Sequence, residues 1–270
     1  MTDDKQPLPA EKVETVTRRI LREVSGILDR NQRSYALGKK LKRYDAATIL
    51  EIFRLMAQRA QSKDPIYQDG FRVVSDVRRI SRHVGYGLMS EVYTLARQKD
   101  YREVLRFMQV VPAARKLGED DELEEDVMLK EMTLGIKRQK ARGFDRDMIM
   151  RLCNEQDPMI IEHLLKNPRV TIQHVVKIAA KRPTDAKILW TVYKNMKWVN
   201  HYVVKKALIN NPYTPTQISL ALLHFLLEQD LEDVAENQLL HPLVRDAAVD
   251  IIKKKRGDID KDTKKAVESE

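Results

Sequence analysis

Residues 208–217 read LINNPYTPTQ, and residues 164–173 read LLKNPRVTIQ. Each has an apolar pair, an Asn-Pro and a polar turn ending in Gln. The two Asn-Pro pairs, at Asn167 and Asn211, lie 44 residues apart. In that register Leu164 meets Leu208, Ile160 meets Val204, Met159 meets Val203 and Gln173 meets Gln217. The pattern predicts helix–turn–helix. Asn tolerates the left-handed C-terminal position and Pro cannot continue a helix, so the first helix stops there. Thr214 is the expected cap of the next helix, with Pro215 at its first position, where a missing N–H costs nothing.

A further copy starts at HPLVRDAAVDII, 241–252. Aligning Pro242 with Pro158 places Leu243, Val244, Ala247 and Ala248 over Met159, Ile160, His163 and Leu164, and over Val203, Val204, Ala207 and Leu208. Apolar pairs recurring every four residues form one helical face. Asp157-Pro158 and His241-Pro242 read as a cap followed by Pro. Thr184–Trp190 opens another helix, 230–235 a short one, and 134–153 a fainter copy broken at Gly143. Recurring helical units of this length predict an α-solenoid.

These residues carry a resemblance. VVKKALINNPYTPTQISLALLHFL, 203–226, resembles leucine-rich-repeat-variant and HEAT-like helical repeats. Residues 134–252, with LLKNPRVTIQHVVKIAAKRP and HPLVRDAAVDII, are similar to deltaproteobacterial helical-repeat proteins. The resemblance implies an all-α solenoid and no particular activity. Some leucine-rich-repeat-variant proteins hold an iron–sulfur cluster on a Cys-rich segment. This chain has one cysteine, so the cluster does not carry over.

Before the repeats the chain is helical without a clean repeat. PLPAEKVETVTRRILREVSGIL, 7–28, is a first amphipathic helix, and Asp45 caps AATILEIFRLMAQRAQ with apolar positions 49, 52, 53 and 56. Asp64-Pro65 opens another element, and 85–111 forms a hairpin broken near Lys99-Asp100. The expected organisation is a flexible 1–10, an N-terminal helical module over 11–118, an acidic linker or helix start over 119–132, repeats over 133–254 and a charged, unstructured tail over 255–270.

The net charge of +9 is uneven. Residues 1–118 hold 24 Lys and Arg against 14 Asp and Glu, 119–132 one Lys against eight acids, and 133–270 hold 24 against 18. The acidic run EDDELEED, 119–126, separates two basic halves. No stretch approaches the ~20 apolar residues that span a bilayer, and no apolar signal follows the polar N-terminus. With Cys153 alone, a disulfide framework is excluded and a reducing, cytoplasmic compartment is expected.

Chemistry is sparse. No nucleophile elbow, phosphate loop or zinc-protease helix motif occurs. Gly85-Tyr86-Gly87 reads as a loop. Cys153, in the stripe MIMRLC, reads as a buried thiol. His163 and His174 lack a third metal ligand, although His163 is odd beside Ala207 and Ala247 in its equivalents. No cofactor is implied. The richest cluster is KRPTDAKILWTVYKNMKWVNHYVVKK, 181–206. Lys181, Arg182, Trp190, Tyr193, Lys194, Lys197, Trp198, Tyr202, Lys205 and Lys206 together form a candidate partner-binding patch. Cations and aromatics grip phosphates and bases, and they also make protein hot spots. The plain alternative is that the tryptophans fill the core while the lysines stay solvated. Two further basic runs, Lys39–Arg43 and Arg78, Arg79 and Arg82, are either phosphate contacts or ordinary surface.

The leading expectation is a non-enzymatic scaffold that holds a protein or peptide on a concave face. The alternative is nucleic-acid binding through basic faces. An enzyme built on a solenoid, as in helical-repeat DNA glycosylases, would need a carboxylate beside an aromatic pocket, and the sequence places none.

Overall fold

A computed structural model describes residues 7–27, 29–60, 64–109, 111–118, 121 and 126–268, with side chains to 257. All regular structure among them is helical. The chain forms two compact units, 1–110 and 111–270.

The first unit contains α1 (Ala10–Ser25), α2 (Arg30–Leu41), α3 (Ala46–Arg59), α4 (Pro65–Val74), α5 (Val77–Val84), α6 (Tyr86–Gln98) and α7 (Arg102–Met108). Helix α3 is its centre and packs on α1, α4, α6 and α7. It buries Ile49, Leu50, Ile52, Phe53, Met56 and Ala57, at ~1.5–3 kcal/mol for each large side chain. Phe53 and Phe71 both meet Phe107 edge-on, at 5.7 Å. Asp45 and Asp64 cap α3 and α4, accepting from Thr48 N at 3.1 Å and Ile66 N at 3.0 Å. Between α6 and α7 the chain turns through Asp100 at φ 48°, a left-handed position Asp tolerates.

The second unit contains α8 (Val127–Lys130), α9 (Leu134–Ala141), α10 (Arg146–Leu152), α11 (Pro158–Lys166), α12 (Ile172–Ala180), α13 (Ala186–Lys194), α14 (Met196–Val199), α15 (Tyr202–Asn210), α16 (Thr216–Leu223), α17 (Glu228–Glu236) and α18 (Pro242–Glu268). Its principal contacts join helices at most three apart in chain order, such as α9–α11, α11–α13, α12–α15, α15–α17 and α16–α18. Every residue of α16 is buried. Helices of nine residues are too short to persist alone, so packing and end-capping must hold them.

The two Asn-Pro turns show how. Neither asparagine is left-handed; Asn167 (φ −69°, ψ 129°) and Asn211 (φ −88°, ψ 115°) are extended, which corrects the sequence expectation. Their side chains make the stop. Asn167 Nδ2 donates to Ala141 O at 2.8 Å and Gly143 O at 2.7 Å, and its Oδ1 accepts from Arg169 N at 2.8 Å. Asn211 Nδ2 donates to Ala179 O at 2.8 Å and Lys181 O at 2.9 Å, and its Oδ1 accepts from Tyr213 N at 3.0 Å. Each amide therefore closes its own turn and satisfies two orphan carbonyls at the end of an earlier helix, α9 or α12. Asn237 repeats the turn half, accepting from Leu239 N at 3.1 Å.

Other details shift. Thr214 is not the cap of α16; it is buried, and its hydroxyl donates back to Leu208 O at 2.6 Å, while Pro215 holds the N-cap position. The apolar face is rotated by about one residue from the expected one. Ile160, Ile161, Leu164 and Leu165 are buried, and so are Val204, Leu208 and Ile209, whereas Met159 is 51% and Val203 49% exposed. Helix α18 starts five residues after Asn237, as α12 and α16 do after Asn167 and Asn211, so its start corresponds to those of α12 and α16 rather than to that of α11. Its backbone is helical through Glu268, past the point where an unstructured tail was expected. Most of the acidic run, 119–120 and 122–125, lies outside the described residues. The division of the chain falls ahead of that run, because residues 112–115 are tied into the second unit. Arg115 N donates to Pro212 O at 2.9 Å, and the Thr216 hydroxyl donates to Pro112 O at 2.6 Å.

Replacing Asn211 by Ala removes three hydrogen bonds and strands buried carbonyls, for an expected loss of about 2–3 kcal/mol. Asn211→Asp should be no better, because it sets acceptors against acceptors. Asn195→Ala, which loses no side-chain cap, should cost under about 1 kcal/mol. Urea unfolding followed by tryptophan fluorescence reads the second unit selectively, since both tryptophans lie in it.

Candidate functional site

The segment 181–206 runs from the end of α12 through α13 and α14 into α15. Asp185 accepts from Lys187 N at 2.8 Å and starts α13. That sets Trp190 and Lys194 one turn apart, with the Lys194 ammonium 5.6 Å from the indole centroid. Tyr193 is buried and meets Trp190 edge-on at 5.6 Å. Trp198, on the single turn of α14, is also buried. Its Nε1 donates to Leu165 O at 2.7 Å and satisfies the end of α11. Lys197 covers its ring at 4.1 Å.

Helix α15 carries Tyr202, Lys205 and Lys206 inward or onto α17. Lys205 is buried at 8% exposure; its ammonium donates to Asn200 O at 2.8 Å and lies 5.2 Å over Phe225. The Tyr202 hydroxyl donates to one Asp230 oxygen and accepts from Leu227 N at 3.1 Å. Lys206 donates to the other Asp230 oxygen and lies 3.7 Å from Asp233. Lys181 donates to Asn154 O and Arg182 to Asn210 O. These bonds hold the Asp230 carboxyl below the usual carboxylate range, through Lys206 first and Tyr202 second. The bond to Asp230 raises Lys206, and burial followed by that same bond raises Tyr202.

The ten residues therefore do not converge on one open surface. Tyr193, Trp198 and Lys205 are interior, which corrects their place in a partner-binding patch. Lys181 and Arg182 tether carbonyls, and Tyr202 and Lys206 close on Asp230. Lys194, Lys197 and one side of Trp190 reach the surface. The physical reason is helix length. At nine residues, aromatic and long basic side chains are the groups that reach orphan carbonyls of neighbouring helices.

The remaining candidates are also committed. His174 Nδ1 accepts from Thr171 N at 3.0 Å and completes a capping box. His241 Nδ1 accepts from Leu243 N at 3.1 Å at the start of α18. Arg142 Nη2 lies 3.2–3.4 Å from both ring nitrogens of His163; burial and then Arg142 push that imidazole toward its neutral form. Burial raises the Cys153 thiol to about 11. Among the described residues, no group of His, Cys, Asp or Glu is arranged to hold a metal ion, and no helix is long and apolar enough to cross a membrane.

Two features lay outside the sequence reading. Met159 and Val203, each eight residues before the asparagine of an Asn-Pro pair, are half exposed, a placement hidden by reading both as core. Residues Pro112–Arg115 and Gln238–Pro242 line an open cleft of about 490 Å³. No local pattern points to that cleft, because the two segments are far apart in the chain.

No family model, curated protein or solved structure matches the chain.

Two outcomes test this description. Asp230's carboxyl is lowered, so the stability it contributes is present above the usual carboxylate range and is lost as pH falls through its folded value. Lys206 is raised, so its share persists on the alkaline side until pH exceeds its folded value. Asp230→Asn should flatten the acid limb of the stability–pH curve and leave neutral-pH helicity intact. Cys153 should resist an aromatic disulfide reagent in the folded protein and react in step with unfolding under denaturant.

Proposed function

We propose that the second unit is a HEAT-like or leucine-rich-repeat-variant array that works as a non-enzymatic scaffold for a protein or peptide partner. The observation that carries this reading is the pair Met159 and Val203. Equivalent positions on successive copies leave an apolar side chain half exposed, at 51% and 49%. A repeated apolar position offers a regularly spaced contact to a partner lying across the copies. Phe144 and Leu239 add exposed apolar surface in the same unit.

Chain-local helix contacts and the two matching asparagine locks support the repeat reading. The bonds of residues 112–115 with Pro212 and Thr216 support an extended peptide as partner, since a turn carbonyl and a hydroxyl at the start of α16 already bind the main chain of a non-helical segment. The alternative of nucleic-acid binding through 181–206 has less support, because Lys181, Arg182, Lys205 and Lys206 are engaged within the unit.

The test is affinity capture with the full chain after nuclease treatment at moderate salt. A defined protein should be retained and then lost with Met159→Ser/Val203→Ser, while helicity and melting stay close to those of the parent. Capture that disappears with nuclease, or that the double variant leaves unchanged, overturns this reading.

A further inference from the structure

The two basic runs of the first unit, distant in sequence, meet in the fold. Helices α2 and α5 pack together, and Gly38 permits the close approach: a Cβ there would stand 2.4 Å from His83 Cβ. One turn before Gly38, Tyr35 is 54% exposed and sets its ring edge-on to the His83 imidazole, with centroids 5.5 Å apart. One turn earlier again, Asn31 Oδ1 accepts from Arg79 Nη1 at 2.5 Å.

Neither helix contains a carboxylate. RNQRSYALGKKL carries four cations, and VRRISRHV carries three arginines and a histidine. Three of these cations are neutralised within the unit. Arg33 is buried, donates to Ile27 O and Ser25 O, and lies 3.7 Å from Asp69. Lys40 pairs with Glu23, and Arg79 with Asp76 at 3.3 Å. Lys39, Arg78 and Arg82 are exposed and form no ion pair among the described residues. Lys39 follows Tyr35 by one turn, Arg82 adjoins His83, and Arg78 lies one turn before Arg82. Exposed Lys42 and Arg43 extend the run past the end of α2, and Tyr86, 68% exposed, begins α6 beside α5.

We propose that this α2–α5 face binds single-stranded nucleic acid, with Lys39, Arg78 and Arg82 on backbone phosphates and Tyr35 stacking on a base. Three exposed cations without an ion pair, carried with an exposed ring on two packed helices, match the pairing of charge and stacking platform that holds single strands. A duplex hides its base faces from such a ring. An anionic membrane would call for exposed aliphatic side chains, and the exposed large apolar side chain on these two helices is Tyr35. The inference concerns the first unit and does not depend on the partner of the second.

The test is fluorescence anisotropy of the full chain with a labelled single strand of about 12 nucleotides, within the usual site size. Affinity should fall with salt at a log–log slope of about −2, from three contacts at roughly −0.7 each. Lys39→Glu/Arg78→Glu/Arg82→Glu should abolish binding, and Arg82→Gln alone should reduce the slope by about 0.7. Tyr35→Ala should weaken binding by about 5- to 100-fold with the slope unchanged, and Tyr35→Phe should restore it. Lys194→Glu/Lys197→Glu, in the second unit, should leave it unchanged. Any of three results overturns the proposal: no salt-dependent binding, equal loss with the second-unit variant, or preference for the matched duplex or for phosphatidylserine vesicles over the single strand.

Discussion

An asparagine amide that closes its own turn and also caps an earlier helix is the constraint on which the second unit depends. Helices of eight or nine residues expose a large share of their backbone groups at their ends. Asn167 and Asn211 relieve that burden at two points with one geometry, giving both amide hydrogens to carbonyls two residues apart and taking an N–H two residues onward. Asp has no hydrogen to donate, and Ala has neither function. The adjacent prolines reinforce the stop without supplying the bonds.

The same need accounts for much of the basic and aromatic content of 181–206. The Trp198 indole caps α11 from within the core, and Lys181 and Arg182 cap carbonyls from the periphery. Lys206 and Tyr202 meet on Asp230 and join α15 to α17. A composition that resembles a ligand grip is here largely spent on joining short helices. The surface left by this arrangement is apolar at Met159 and Val203, which is why a protein or peptide partner is the reading we favour for this unit.

The first unit uses its charge differently. Its core around α3 and Phe107 is conventional, with Asp45 and Asp64 as caps. The arginines and lysines of α2 and α5 are balanced only in part, and Gly38 lets the two acid-free helices approach closely. A glycine that reads as a weak point in an isolated helix is, in the packed unit, what brings two positive segments onto one face.

By itself the sequence determined the helical class, the caps at Asp45 and Asp157, the element start at Asp64-Pro65, and the 44-residue correspondence of the Asn-Pro turns. These are legible because capping chemistry and apolar spacing act over a few residues. Tertiary structure alone decided which way each side chain was used. It turned the asparagines from left-handed stops into bridges, sent Thr214 back to Leu208 and left Met159 and Val203 outside. It also buried Trp198 and Lys205, and set Tyr35 against His83. Apart from the Thr214 bond to Leu208, which spans six residues, each of these choices depends on a partner 20 or more residues away or on a rotation of one residue about a helix axis. Local periodicity carries neither kind of information, because neighbouring rotations of a short apolar helix look alike until another helix packs against one of them.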